Sequence, residues 1–276
     1  MLSLLNYLEN IYARLTLTDK SSDMVRLIMF FRALSRFVKM ILITIGHASV
    51  YYFLTLLFGY SKDRFERHTK MWARKLVNSL NITIDFEGEI PRTPNLMVAN
   101  HRSYIDIPVL YTILPGVFLA KKEVSRWPII GFAARAAGTI FVDRGNQESR
   151  SKAKGEILKR IRGGETVYIF PEGTTSPGPK LLEFKLGMFK IVSENQLPIV
   201  PVAIQYADKN DAWLGDDTFV GHFFRTFSKK RIFVKVVFCE PVIGSDAEII
   251  KRLTHKAIWE NLSEYFEVSL HFENPT

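Results

Sequence analysis

A histidine and an aspartate stand five positions apart in Asn100-His101-Arg102-Ser103-Tyr104-Ile105-Asp106, directly after the apolar run Leu96-Met97-Val98-Ala99. A strand over that run delivers His101 to the edge of a sheet. Asp106 then falls in the first turn of the helix that follows. From there its carboxylate can accept from one ring nitrogen and leave the other facing outward as a base. This is two-thirds of the triad that activates an oxygen nucleophile. No triad serine is evident, which leaves open whose oxygen is activated. A histidine beside a helix-start aspartate is also ordinary turn chemistry, and the pair gains weight only from its surroundings.

Three more clusters follow strand-like runs. Phe170-Pro171-Glu172-Gly173-Thr174-Thr175-Ser176 comes after the continuous apolar stretch Thr166–Phe170. Gly173 lets backbone approach a ligand, Thr174 offers a hydroxyl and an amide, and Glu172 is a strand-end carboxylate that needs a cation nearby. Gly138-Thr139-Ile140-Phe141-Val142-Asp143-Arg144 brings an arginine to a strand end, where it can clamp a phosphate or pair with Asp143. Lys121 and Lys122 end the run that begins at Val117. Taken singly, each is an ordinary loop. Taken together, they put a base beside a cationic pocket, which suits binding a phosphate and deprotonating a nearby hydroxyl. His101 and Asp106 are the candidate catalytic residues. Lys121, Lys122, Arg144, Glu172, Gly173 and Thr174 are the candidate substrate-binding residues.

The elements that must position these residues follow from periodicity. Strands are expected at 82–86, 96–99, 117–120, 139–142, 166–170, 199–205 and 232–238. Helices are expected at 105–114, 129–137, 147–161, 184–194 and 245–268. The alternation predicts an α/β fold with a mostly parallel central sheet flanked by helices. Ligands bind such sheets beyond the carboxyl ends of the strands.

The 276 residues carry a formal net charge of +9 and are 47% hydrophobic, so a large core and anionic partners are both expected. Residues 1–80 hold 12 Lys/Arg against 5 Asp/Glu, whereas 81–276 hold 25 against 23. The surplus therefore sits at the N-terminus. There Met40–Tyr60 runs 21 residues without a formal charge, long enough to cross a bilayer. Cations flank it on both sides, among them Arg32, Arg36, Arg64 and Arg67. A single straight span would place one basic flank on the wrong side, so a re-entrant hairpin and interfacial helices compete equally with a span. Ser61–Leu80 reads as a basic amphipathic helix. The division expected is an N-terminal membrane-associated helical segment over 1–80 and an α/β domain over 81–276. Cys239 is the only cysteine and reads as a buried strand residue, not a nucleophile. The six histidines lack metal-ligand spacing, and no metal site is expected.

With these motifs assembled, the chain resembles the glycerolipid acyltransferases typified by 1-acylglycerol-3-phosphate acyltransferase. Their first block is met by Asn100, His101 and Asp106. Gly138–Arg144 resembles their second block. The third is matched by Phe170–Thr174, and the stretch after it by Phe184-Lys185-Leu186-Gly187. The fourth resembles Ile199-Val200-Pro201-Val202. The blocks occur in order across about residues 75–245. One position departs: where the lysophosphatidate pattern often has arginine after the third-block threonine, this chain has Thr175. That opens the acceptor to another lysolipid such as lyso-ornithine lipid. Asp211–Asp217 lies where subfamilies differ and carries no assigned role.

The resemblance implies transfer of a fatty acyl group from acyl-CoA or acyl-carrier protein to a lysophospholipid hydroxyl in phospholipid biosynthesis, with 1-acyl-sn-glycerol-3-phosphate giving phosphatidic acid as the leading case. It implies no bound cofactor and an active site on the cytoplasmic face of a membrane. Backbone amides near Gly173 are the candidate oxyanion donors. A non-enzymatic peripheral lipid-binding protein would explain the N-terminus equally well, but not the clustered strand-end residues. A hydrolase lacks its nucleophile elbow. A nucleic-acid partner is not expected, because the charge flanks a membrane-length apolar run.

Overall fold

The structure, a computed structural model, describes residues 20–91, 96–127, 130–178, 180–215 and 217–269. Among the described residues, seven strands form one sheet: β1 (Ile82–Glu87), β2 (Leu96–Ala99), β3 (Val117–Lys121), β4 (Ile140–Val142), β5 (Val167–Ile169), β6 (Ile199–Tyr206) and β7 (Ile232–Phe238). Their order is β1-β7-β6-β2-β5-β3-β4. Every pairing between these strands is parallel except that of β6 with β7. Strands β6, β2, β5, β3 and β4 therefore turn their carboxyl ends toward one edge.

The central strand β2 is buried on both faces, which is why its four residues are all apolar. Met97 and Ala99 point into the core beneath one helical layer, and Leu96 and Val98 into the core beneath the other. The first layer contains α1 (Lys20–Phe58), α2 (Lys62–Leu80), α3 (Asp106–Ile113) and, later in the chain, α7 (Phe219–Phe227). Helix α4 (Ile130–Ala136) packs against α1 and the β3–β4 connection. The second layer is α5 (Gln147–Arg162), α6 (Gly187–Asn195) and α8 (Ala247–Ser269).

One element had no counterpart in the expected set. Helix α7 places Phe219, Phe223, Phe224 and Phe227 at helical spacing behind the N-cap Thr218, whose side chain accepts from the Gly221 amide. That spacing was the available signal.

The N-terminal segment is also simpler than expected. The basic stretch before residue 40 and the uncharged stretch after it form one 39-residue helix, α1. Gly59, at a φ of +71°, ends it, and Ser61 caps α2, which folds back along it. The Arg64 guanidinium donates to the Gly59 carbonyl at 2.7 Å and fastens this corner. One side of α1 is committed to protein. Phe37 meets Phe223 with ring centroids 5.0 Å apart, and Phe30 meets Phe224 at 5.7 Å. Arg36 donates to the carbonyls of Phe227, Lys229 and Lys230, and Arg32 to that of Ser228. These carbonyls lie at the end of α7, where a cation complements the helix dipole. Two arginines expected to attract anionic lipid thus hold the helix to the domain instead. The other side of α1 is apolar and exposed from Met24 to Phe58, with Leu56 at 71% and Phe58 at 67%. This helix is long and apolar enough to cross a membrane, and only 17% of its most apolar window is buried.

Candidate active site

The site begins at the break in β2. After Ala99 the strand stops, and Asn100 turns its amide onto β6. Its Nδ2 donates to the Ile204 carbonyl at 2.8 Å, and its Oδ1 accepts from the Ile204 amide at 2.7 Å. The side chain thus replaces the peptide partner that the ladder would otherwise supply, and frees the backbone to turn upward. His101 follows at once and Asp106 opens α3.

The pair meets as its spacing implied. The His101 Nδ1 lies 2.8 Å from Asp106 Oδ2. The same oxygen accepts from the amides of Arg102 at 2.8 Å and Ser103 at 3.1 Å. Asp106 Oδ1 accepts from the Tyr206 hydroxyl at 2.7 Å. Asp106 is fully buried, so all these donors are needed to compensate for lost water. Facing the carboxylate is also a reason, after burial itself, that the Tyr206 phenol titrates well above its ordinary value. Since the Nδ1–H donates to the Asp106 carboxylate, Nε2 is left as the basic nitrogen. Among the described residues it has no hydrogen-bond partner. The His101 ring stacks on Phe170, 3.9 Å away and tilted by 10°.

The loop after β5 is locked beneath this ring. Glu172 is buried, and its carboxylate accepts from the His101 amide, the Ser176 hydroxyl and the Leu182 amide, each at 2.9 Å. The cation expected near it is Arg102, itself buried, whose guanidinium donates to Ser176. Burial lowers the Arg102 pKa, and Glu172 and Asp106 oppose that. Glu172 therefore faces inward and ties the His101 loop to the Phe170–Ser176 loop. The Gly173 amide, an expected oxyanion donor, is spent on the Phe170 carbonyl at 3.1 Å.

The cations gather on the outer side. Arg144 donates to the Gly173 carbonyl at 2.7 Å. A Cβ on Gly173 would sit 2.8 Å from Arg144 Nη1 and 2.9 Å from Lys185 Nζ, so this glycine lets both cations close over the loop. Lys185 was not among the expected site residues, although its motif was. Burial, Arg144 and Lys121, in that order, lower the pKa of its amine. Lys121, Arg144 and Lys185 thus form one cluster. Lys122 turns away to an ion pair with Asp143 at 3.5 Å, and Thr174 lies exposed on the loop.

Thr175, the departure from the lysophosphatidate pattern, has a visible task. Its hydroxyl donates to the Trp213 carbonyl, while the Trp213 amide donates to the Arg102 carbonyl at 2.9 Å. The segment that had no assigned role is thereby fastened beside the site. The Trp213 ring packs edge-on against Tyr104 and Trp127.

An apolar cavity begins at Tyr104 and Ile105 and runs between the sheet and the N-terminal helices. Tyr111 and Phe118 form its wall on the site side, and Trp72 and Leu76 on the helical side. Phe118 also lies against Phe170, which carries His101. The remaining thiol takes no part: burial pushes Cys239 up to about 11, leaving it protonated at neutral pH.

A family model described as Acyltransferase matches residues 81–205, the stretch that carries this geometry. The lyso-ornithine lipid O-acyltransferase of Pseudomonas aeruginosa is 34% identical over 200 residues, covering 70% of this chain and 77% of that protein. The 1-acyl-sn-glycerol-3-phosphate acyltransferase of Neisseria meningitidis is 31% identical over 139 residues, covering 50% and 54%. The crystal structure of the 1-acyl-sn-glycerophosphate acyltransferase of Thermotoga maritima superposes with a TM-score of 0.67 at 21% identity, over 87% of this chain and 97% of that one. That last likeness establishes the shared fold. The sequence relatives establish more: the chain belongs to the glycerolipid acyltransferase family and is a membrane-associated O-acyltransferase.

Proposed function

We propose that this enzyme acylates the free hydroxyl of a lysolipid, most directly 1-acyl-sn-glycerol-3-phosphate, with His101 and Asp106 as its catalytic pair. The observation that carries this is the His101 ring: Nδ1 fixed on Asp106 at 2.8 Å, face stacked on Phe170, and Nε2 without a hydrogen-bond partner among the described residues. His101 Nε2 takes the proton from the lysolipid hydroxyl as that oxygen bonds to the thioester carbonyl carbon. Asp106 stabilises the imidazolium formed. The carbon–sulfur bond then breaks and the thiolate leaves, taking up the proton. The acceptor oxygen occupies the role of a triad serine, so no acyl-enzyme is needed.

Lys121, Arg144 and Lys185 hold the anionic headgroup. Gly173 and Thr174 line its edge and Glu172 keeps their loop in place. Lys122 belongs to the rim of the same basic surface through Asp143. The apolar cavity takes a long acyl chain. The donor is acyl-CoA or acyl-carrier protein. Residues 1–80 act as the membrane-associated segment and 81–276 as the catalytic α/β domain. Because α1 is packed along one side onto α2 and α7, it lies in the interface with its exposed apolar side in lipid, and the site edge faces the cytoplasm.

A second acceptor has an observation of its own. Thr175 replaces a possible phosphate-binding arginine and instead anchors Trp213. This favours a lyso-ornithine lipid, whose carboxylate asks for fewer cations than a phosphomonoester. Incubating the purified enzyme with labelled acyl-CoA or acyl-carrier protein and a panel of lysolipids tests both. Product from lysophosphatidate or lyso-ornithine lipid selects between them. A His101→Ala enzyme that still acylates lysolipid at near wild-type rate would overturn the catalytic assignment.

A further inference from the structure

The acyl cavity has a polar waist that a saturated chain does not need. Most of its wall is hydrocarbon or aromatic, from Phe65, Trp72 and Leu76 to Ile107 and Phe118. Yet His47 on α1 and His68 on α2 both line it, their ring centroids 6.4 Å apart. Tyr51 stands against the same imidazole, 5.8 Å from the His68 ring. The His68 Nδ1 is buried and has no hydrogen-bond partner among the described residues. By contrast, the neighbouring Trp72 indole nitrogen is satisfied by the Thr44 hydroxyl at 3.1 Å. That nitrogen is already cut off from solvent in the empty cavity, so its missing hydrogen bond is a standing cost, relieved when the ring turns to a ligand that brings its own donor or acceptor.

We infer that this cavity is built for an acyl chain bearing a hydroxyl along its length, with His68 bonding that hydroxyl and His47 and Tyr51 completing the polar girdle. The inference rests on the acyltransferase reading for the identity of the chain. The two rings are suited to the task because they stay neutral. Burial lowers the pKa of each, Lys75 and His68 lower His47 further, and Arg64 and Arg67 lower His68 further. A neutral imidazole carries both a donor and an acceptor, which a hydroxyl matches. The hydroxyl can arrive on the acyl chain of the donor thioester or on the chain of the acceptor lysolipid. A site made to bond a hydroxyl also discriminates more sharply than an apolar wall can.

Displacement of cis-parinaric acid from the full-length protein tests this without relying on catalysis. The competitors are hexadecanoyl-CoA and a positional series of mid-chain monohydroxy-hexadecanoyl-CoAs. A parallel arm uses lysolipids with plain or hydroxylated chains. At least one hydroxylated isomer is expected to displace the probe at roughly tenfold lower concentration than the plain chain. The arm in which it appears identifies the source. His68→Leu should erase that advantage while tightening the plain chain, and His68→Gln should retain part of it. The inference is overturned if no hydroxylated isomer outcompetes its plain counterpart in either arm, or if the advantage survives His68→Leu. A chain preference intact in a protein that transfers no acyl group would count against the enzymatic reading alone.

Discussion

Replacing Asp106 by Asn separates charge from geometry at this site, and the hydrogen bonds dictate how. Asp106 Oδ2 faces three N–H groups: His101 Nδ1 at 2.8 Å, the Arg102 amide at 2.8 Å and the Ser103 amide at 3.1 Å. An asparagine must put its oxygen there, since its NH2 group would meet two backbone donors that cannot turn away. The NH2 group then faces Tyr206, whose hydroxyl can rotate to accept. The imidazole keeps its proton on Nδ1, so the ring orientation and the basic Nε2 survive. What disappears is the negative charge beside the imidazolium that the proposed proton transfer forms. With charge centres about 4 Å apart and an effective dielectric near 20, that interaction is worth about 4 kcal/mol. The expected loss is on the order of 1,000-fold in kcat at little cost in thermal stability. The assay is steady-state acyl transfer to lysophosphatidate or lyso-ornithine lipid, alongside thermal unfolding of the same preparations. An Asp106→Asn enzyme retaining a tenth or more of wild-type kcat, while folded as stably as wild type, would show that the carboxylate charge does not serve the imidazole.

Three other outcomes follow from the geometry. Gly173→Ala forces a side chain onto a φ of +76° and pushes on Arg144 and Lys185 at under 3 Å; it should cost about 1 kcal/mol of stability and raise the lysolipid KM roughly tenfold, and an unchanged KM would remove these cations from headgroup binding. Asn100→Ala leaves both the amide and the carbonyl of Ile204 unpaired in the core, so the urea midpoint should fall by the equivalent of about 2 to 4 kcal/mol, with activity lost in proportion to the displacement of His101. His222 is fully buried against the Tyr104 hydroxyl, with Thr226, Arg225 and Asp217 around it, and burial pulls its pKa down to about 4. Its neutral form stabilises the fold in full above pH 6.5. As pH falls from there toward 4 the unfolded chain takes up a proton that the folded one refuses, at a cost of at most about 1.4 kcal/mol per pH unit. Tm should therefore fall as pH is lowered through this window in the wild type, and fall less steeply in His222→Gln.

Much of this protein was legible in its residue order. Local periodicity carried the strand and helix succession, because strands buried on both faces must be apolar at every position, as in Val167-Tyr168-Ile169. The short spacing from His101 to Asp106 carried their hydrogen bond, because a strand end and the first turn of a helix leave one reach between the two side chains. Cations on successive strand ends announced the cluster, because parallel strands bring their carboxyl ends to one edge. Contacts between distant segments were not legible in that way. No pattern near Asp106 foretells Tyr206, a hundred residues on, or shows Glu172 turned inward under His101. Lys185 joins the cations because Gly173 lacks a side chain, and Lys122 leaves them because Asp143 is within reach. Arg32 and Arg36 resemble lipid-binding cations along the chain, yet α7 claims them with carbonyls nearly 200 residues away. Sequence fixes what each segment can do alone, through turn chemistry, burial pattern and charge. Which donors meet which acceptors is settled only when the sheet closes and buried polar groups must find partners.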